Sequence, residues 1–215
     1  MPAAAGGIAQ SYFEVMSRDS STPLRSARND LSAVLLAGGE STRMGRDKAT
    51  LEWRGLPLWA QQLDKLRGIT PNIFVSARFA VPWRPADVDL VIDESPSRGP
   101  LSGLTASLEM METDSLLALP VDMPFITLSH LEKLCEYATP EMGAVPVING
   151  KVEPLAAVYP KRAASIFAEA LNGTDHSVQR LVQRLSELGL IRKIPLAAAA
   201  ARFYRSINYP DDLQC

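Results

Sequence analysis

Cysteine is scarce in this chain: Cys135 and Cys215 are its only two, with no metal-ligand spacing around either. That argues against a zinc site or a disulfide framework and fits a reducing, cytoplasmic compartment. Cys135 falls on a helical apolar stripe and reads as a packing residue. Histidine is equally sparse, with His130 at a helix start and His176 in the polar segment Asn172–Ser177, where it reads as a solvated loop residue. Neither accompanies a recognisable Ser or Cys nucleophile motif, so triad chemistry is not expected. Charge of one sign is not in excess either: 22 basic against 24 acidic residues give a net −2, which offers no electrostatic footprint for nucleic acid. No apolar run is long enough to span a bilayer. The N-terminus lacks the basic-then-apolar order of a secretory signal. There is no internal repeat.

What is present is a chain of 215 residues, 47% hydrophobic, enough for one sizeable core. Residues 1–30 are rich in Ala, Gly, Ser and Arg, with Tyr12-Phe13-Glu14-Val15-Met16 as their one apolar cluster. They are expected to form a mobile extension, and residues 31–215 a single domain. From residue 31 onward strand-like and helix-like patterns alternate. Strands are predicted at Ala33–Ala37, Asn72–Ser76, Asp89–Ile92, Ser115–Leu119, Gly143–Val147, Pro154–Tyr159 and Phe203–Ile207. Leu101, Leu104, Leu108 and Met111 share one helical face, as do Leu131, Leu134, Cys135 and Ala138. Val178, Leu181, Val182, Leu185 and Leu188 form the cleanest stripe. Hairpin-like pieces are expected near Thr50–Trp53 and Glu153–Tyr159. The alternation predicts an α/β sandwich with a mostly parallel central sheet, whose ligands bind beyond the carboxyl ends of the strands.

Four stretches carry chemistry. After the first strand comes Leu36-Ala37-Gly38-Gly39-Glu40-Ser41-Thr42-Arg43-Met44-Gly45-Arg46-Asp47-Lys48. Its glycines expose main-chain N–H groups to a ligand, and Arg43 and Lys48 add positive charge, a combination suited to polyphosphate. It is not a Walker loop, because Lys48 follows Gly45 by three residues, and G-x-G-x-x-G is absent. In the second stretch, Leu116 to Phe125, an apolar strand delivers Asp122 into a turn bounded by Pro120 and Pro124, with Ser129 placed to cap the next helix. A carboxylate there suits Mg²⁺, which takes hard oxygen ligands and bridges carboxylate to phosphate. The third stretch runs from Asp93 through Gly99-Pro100-Leu101-Ser102-Gly103. It turns the chain into a helix start suited to negative charge or a base edge, and Asp93 can accept from a guanine or sugar group. In the fourth, Arg205 to Leu213, Asn208 closes a strand and Pro210 opens a short helix. Asn208 reads either as a cap or as a second oxygen ligand to the metal.

In order and spacing these stretches resemble the molybdenum cofactor guanylyltransferase family (the MobA type) over residues ~31–213. The resemblance implies a Rossmann-like three-layer fold of the nucleotidyltransferase type. It also implies Mg²⁺-dependent transfer of GMP from GTP to the terminal phosphate of molybdenum-bearing molybdopterin, with release of pyrophosphate. Carried onto this chain, it makes Arg43, Lys48 and Asp122 catalytic. It assigns nucleotide contacts to Leu36, Ala37, Gly38, Gly39, Arg43, Lys48, Ser76, Asp93, Gly99, Pro100, Leu101, Gly103 and Asp122, and metal ligation to Asp122 and Asn208. Molybdopterin-supplying and molybdoenzyme-maturation proteins are the partners implied, with transient contacts.

The chain departs from the family at Ser76, where some relatives carry Asn; a serine hydroxyl can still hydrogen-bond. Pro154 matches the acceptor-side segment only loosely, so Glu153 receives no role. Ala37-Gly38-Gly39 and Gly99-Pro100-Leu101-Ser102-Gly103 favour guanine over cytosine. A CTP-using or sugar-phosphate nucleotidyltransferase is the alternative, and a non-catalytic nucleotide-binding partner in cofactor delivery is a third reading. Trp53, Trp59 and Trp83 read as packing residues, with a stacking face for the acceptor as the other possibility.

Overall fold

The computed structural model describes residues 30–38, 47–93, 96–208 and 212. Residues 1–29, Gly39, Arg43, Pro210, Asp211 and Cys215 lie outside these, and with them the expectations for the extension, the rest of the glycine loop and the terminal helix. Among the described residues the order is β1 (Leu31–Leu36), β2 (Glu52–Trp53), β3 (Leu56–Pro57), α1 (Leu58–Arg67), β4 (Asn72–Ala77), β5 (Asp89–Ile92), α2 (Pro100–Met110) and β6 (Ser115–Pro120). There follow α3 (Leu128–Tyr137), β7 (Gly143–Ile148), β8 (Lys151–Val152), β9 (Val158–Pro160), α4 (Ala164–Asn172), α5 (Val178–Glu187) and β10 (Ile191–Pro195), with 3₁₀ turns at Lys48–Thr50, Lys161–Ala163 and Ala198–Phe203.

The sheet runs β10-β7-β9-β6-β1-β4-β5, with β8 paired to β7. β1 is flanked in parallel by β4 and β6, Val34 standing opposite Phe74 and Ala118. β4–β5 and β10–β7 are parallel too, whereas β9 runs antiparallel to β6 and β7. Every residue of β1 and β6 is buried, as strands covered on both faces require. Their side chains divide by parity between the two faces. Leu31, Ala33 and Leu35 join α1 and α3 in one core, while Val34 and Leu36 join α2, α4 and α5 in the other. The result is the expected three-layer α/β sandwich, and Cys135 is buried in its core.

Local chemistry explains the junctions. Arg54-Gly55 and Asn149-Gly150 all have positive φ and form the two-residue links of the β2–β3 and β7–β8 hairpins, where such turns match strand twist. Gly99, at φ 69° and ψ −146°, occupies a region open only to glycine and delivers Pro100 to the first position of α2. Ser177 caps α5, its hydroxyl accepting from Arg180 N at 3.4 Å.

Several expectations are corrected. Phe203–Ile207 is not a strand. The chain enters it through the 3₁₀ turn Ala198–Phe203, and the position beside β7 is taken by β10, whose short, half-polar sequence gave no signal. Asn208 therefore closes no strand. Of Pro154–Tyr159 only Val158 and Tyr159 pair, as the start of β9, because Pro154 has no N–H to contribute and a turn brings Ala156 N to Glu153 O at 3.3 Å. The α3 N-cap is Thr127 in extended conformation, so Ser129 falls inside the first turn, 2.9 Å from the Thr127 hydroxyl. His176 is half-buried rather than solvated, with Nε2 enclosed and unpartnered. In the first hairpin the paired residues are Glu52–Trp53 and Leu56–Pro57, while Thr50 belongs to the 3₁₀ turn. The helices α1 and α4 join the three anticipated from apolar stripes.

Candidate functional site

A cleft of about 440 Å³ opens where the central parallel strands end. Leu36, Ala37 and Gly38 leave β1, Ser76 and Arg78 belong to the end of β4, Asp93 follows β5, and Pro120, Val121 and Asp122 continue β6; all line the cleft. Gly99, Pro100 and Gly103 supply the edge formed by the α2 N-terminus, and Asp47 and Lys48 the opposite rim. The strand ends are laced together: Ala37 N donates to Ser76 O at 2.8 Å, Asp93 N to Ala77 O at 3.0 Å and Val121 N to Leu36 O at 3.0 Å.

At one end a cation sits among oxygens. Lys48 Nζ lies 3.5 Å from Asp122 Oδ2 and donates to Ile207 O at 3.0 Å and to Asn208 Oδ1 at 3.3 Å. Ile207 N donates to Asp122 O at 2.7 Å, which fastens the terminal segment to the Asp122 turn. Burial raises the Asp122 pKa, and the Lys48 ammonium opposes that shift. Asp47 caps the Lys48 turn by accepting from Ala49 N at 3.0 Å, and Trp83 Nε1–H donates to the same carboxylate at 2.9 Å. Trp83 stacks on Trp59 at 5.4 Å, while Trp53 packs edge-on against Phe125 at 5.1 Å.

At the other end Ser76 Oγ donates to Asp93 Oδ1 at 2.8 Å. Burial raises the Asp93 pKa, and the Ser76 bond, a longer one from Ser97 and the Arg78 charge oppose it. The pair is seated between two glycines. A Cβ on Gly103 would lie 2.1 Å from Ser76 Oγ, and one on Gly38 would lie 2.8 Å from Asp93 Oδ2. Close approach, not turn geometry, demands glycine at both positions. The mouth of α2 is tied by Ser102 Oγ, which accepts from Arg98 N at 2.7 Å.

Leu36, Ala37, Gly38, Lys48, Ser76, Asp93, Gly99, Pro100, Gly103 and Asp122 are thus brought into one cleft, with Asn208 held to Lys48 behind it. Leu101 is not: its side chain is fully buried in the core beside Leu104 and Leu108. Gly39 and Arg43 lie outside the described residues. Asp47, Arg78, Ser97 and Leu155 also line the cleft; Asp47 lies within the glycine-loop stretch and Ser97 within the stretch from Asp93 to Gly103, though neither was singled out as a contact.

A three-layer α/β fold with its cleft at the strand ends, a half-buried carboxylate beside a lysine and a glycine-bordered recess is of the nucleotidyltransferase type. The chain belongs to the MobA-like NTP transferase family, whose domain model matches residues 33–188. It is 35% identical over 175 residues to the molybdenum cofactor guanylyltransferase of Pseudomonas fluorescens SBW25, covering 78% of this chain and 86% of that one. To the enzyme of the same name from Pseudomonas aeruginosa PAO1 it is 34% identical over 191 residues, or 86% and 94% of the two chains. The fold superposes on molybdopterin-guanine dinucleotide biosynthesis protein A from Archaeoglobus fulgidus with TM-score 0.65 at 23% identity, covering 85% and 95%. The protein is accordingly an enzyme of this type, and the family suggests a divalent metal. Among the described residues no helix is long and apolar enough to cross a membrane.

Proposed function

We propose that the protein transfers GMP from GTP to the terminal phosphate of molybdenum-bearing molybdopterin, forming the guanine dinucleotide cofactor and releasing pyrophosphate. The observation that carries this reading is the cleft's two-ended chemistry. Lys48, Asp122 and Asn208 converge at one end, and the hydrogen-bonded pair Ser76–Asp93 lies in its glycine seat at the other. A triphosphate suits the first and a base or ribose the second.

Lys48, with Arg43 and the Gly38 and Gly39 amides, holds the triphosphate and stabilises charge developing at the α-phosphorus and on the departing pyrophosphate. The acceptor phosphate is already anionic and needs no strong base, so alignment within the cleft supplies most of the remaining rate. Asp93 accepts from guanine or sugar donors, and Gly99, Pro100 and Gly103 bring the start of α2 against the nucleotide. The oxygens of Asp122 and Asn208 already surround a cation, the Lys48 ammonium, and that hard-oxygen donor set fits Mg²⁺. When bound, Mg²⁺ would neutralise phosphate charge beside Asp122. Residues 31–215 form the catalytic domain, acting in the cytoplasm and in transient contact with molybdopterin-supplying and molybdoenzyme-maturation proteins.

The test is nucleotide incorporation by purified protein with Mg²⁺ and molybdenum-loaded molybdopterin, supplying GTP, CTP, ATP and UTP separately and quantifying pyrophosphate and pterin dinucleotide. Product from GTP alone is expected. Product mainly from CTP would overturn the base assignment, and none from any nucleotide would overturn the acceptor.

A further inference from the structure

Helix α1 carries a fully buried amide, Gln62, and a half-buried lysine, Lys65, one helical turn apart on the same face. Neither faces the cleft. Both are spent on the loop that carries Asp122. Gln62 Nε2 donates to Pro120 O at 2.9 Å and to Met123 O at 3.0 Å, while Gln62 Oε1 accepts from Lys65 Nζ at 2.7 Å. Lys65 Nζ also donates to Pro124 O at 2.7 Å. Three carbonyls that bracket Asp122 are therefore satisfied by two side chains of another element, and the Asp122 carbonyl itself by Ile207 N. The arrangement uses both donors of the amide.

An apolar helix face would bury the same area at less cost, since a buried lysine is penalised by desolvation; burial lowers the Lys65 pKa to about 8. That cost is accepted at a position whose ammonium bonds to Gln62 Oε1 and to the Pro124 carbonyl of the Asp122 loop. The loop contains few ties of its own, Met123 N reaching Pro120 O only at 3.4 Å and Ile126 N reaching Met123 O at 3.4 Å. Without α1 the carbonyls of Pro120, Met123 and Pro124 would lose these side-chain donors.

We propose that Gln62 and Lys65 are positioning residues that hold the Asp122 loop in register with Lys48 and the cleft, and that turnover depends on this brace. The catalytic part of the statement rests on the transfer activity proposed above; the brace itself does not. The decisive variants are Lys65→Met, which keeps the stem and removes the donor, Lys65→Arg, which keeps a donor, and Gln62→Leu. Two readouts are taken on full-length protein. Amide hydrogen exchange needs no substrate. In Lys65→Met and Gln62→Leu, exchange is expected to accelerate in the segment 121–126 while β1 and β4 stay protected, and Lys65→Arg should restore protection. In the transfer assay Lys65→Met is expected to lower kcat by about tenfold or more with KM for GTP little changed, because a misplaced catalytic group costs rate rather than ground-state binding. Lys65→Arg should recover most of the loss. Unchanged exchange in the 121–126 segment of folded Lys65→Met would overturn the brace. Faster exchange with parental kcat would overturn its role in turnover. If the parent chain itself transfers no nucleotide, the proposed function has failed, and the exchange experiment alone decides whether the brace exists.

Discussion

Asp122 stands in a conflict between fold and chemistry. Burial raises its pKa above the unfolded value, so the native state disfavours its ionised form. That penalty is absent below the unfolded pKa and fully present once pH exceeds the folded one. Asp122→Asn is therefore expected to lower turnover by about 10²–10³ while melting no earlier than the parent at neutral pH without nucleotide, as calorimetry would show. Lys48→Ala should lose turnover to a similar degree, and near-normal rates in either variant would remove that residue from the mechanism. Asp93 gives a pH signature. If it accepts from guanine as a carboxylate, GTP affinity falls as pH drops through its raised pKa. Ser76→Ala removes an opposing hydrogen bond, so the loss should begin at higher pH, readable by titration calorimetry as pH is lowered from neutral; an unmoved acid limb would take Asp93 out of base recognition. Asp122 and Asp93 were legible because each follows an apolar run that could be recognised as a strand, and Lys48 because it stands in the glycine-loop pattern. Arg78 and Leu155 were not, since only the packing of separate elements brings them to the cleft.

Among elements, β1, β4, β5, β6 and β7 were readable from unbroken apolar runs, and α2, α3 and α5 from their stripes. Helix α1 escaped notice because the buried Gln62 and the half-buried Lys65 interrupt its apolar face, the same polar residues that bind the Asp122 loop. The β10 strand was missed because Arg192 and Lys193 interrupt its short run. Two glycines show how elements are pressed together for different ends. A Cβ on Gly143 would come within 2.1 Å of Val158 O, a backbone atom of the β7–β9 pairing. Gly143→Ala is expected to cost about 1–3 kcal/mol or more in denaturant unfolding, with no relief from side-chain changes. Gly103→Ala meets the Ser76 hydroxyl instead. It should both destabilise and weaken GTP binding, and recover stability when Ser76→Ala is added, a coupling that additive behaviour would disprove.

The whole molecule is organised about one sheet that separates two cores, and that layering was legible because strand and helix patterns alternate from residue 31. The central strand begins at Leu31 and the family match at residue 33. We propose that a chain beginning at Asp30 keeps the parent's turnover and melting temperature, which paired assays would check; a marked loss of either would assign residues 1–29 to the domain. The aromatic residues have a consequence beyond packing. Trp83 is stacked on Trp59 and bonded to the carboxylate that caps the Lys48 turn, whereas Trp53 stands apart against Phe125. An indole pair wired to the rim of the cleft makes the protein its own fluorophore. A ligand that displaces the Lys48 turn is expected to alter the emission of that pair, which would let occupancy be followed in the untagged, unlabelled chain.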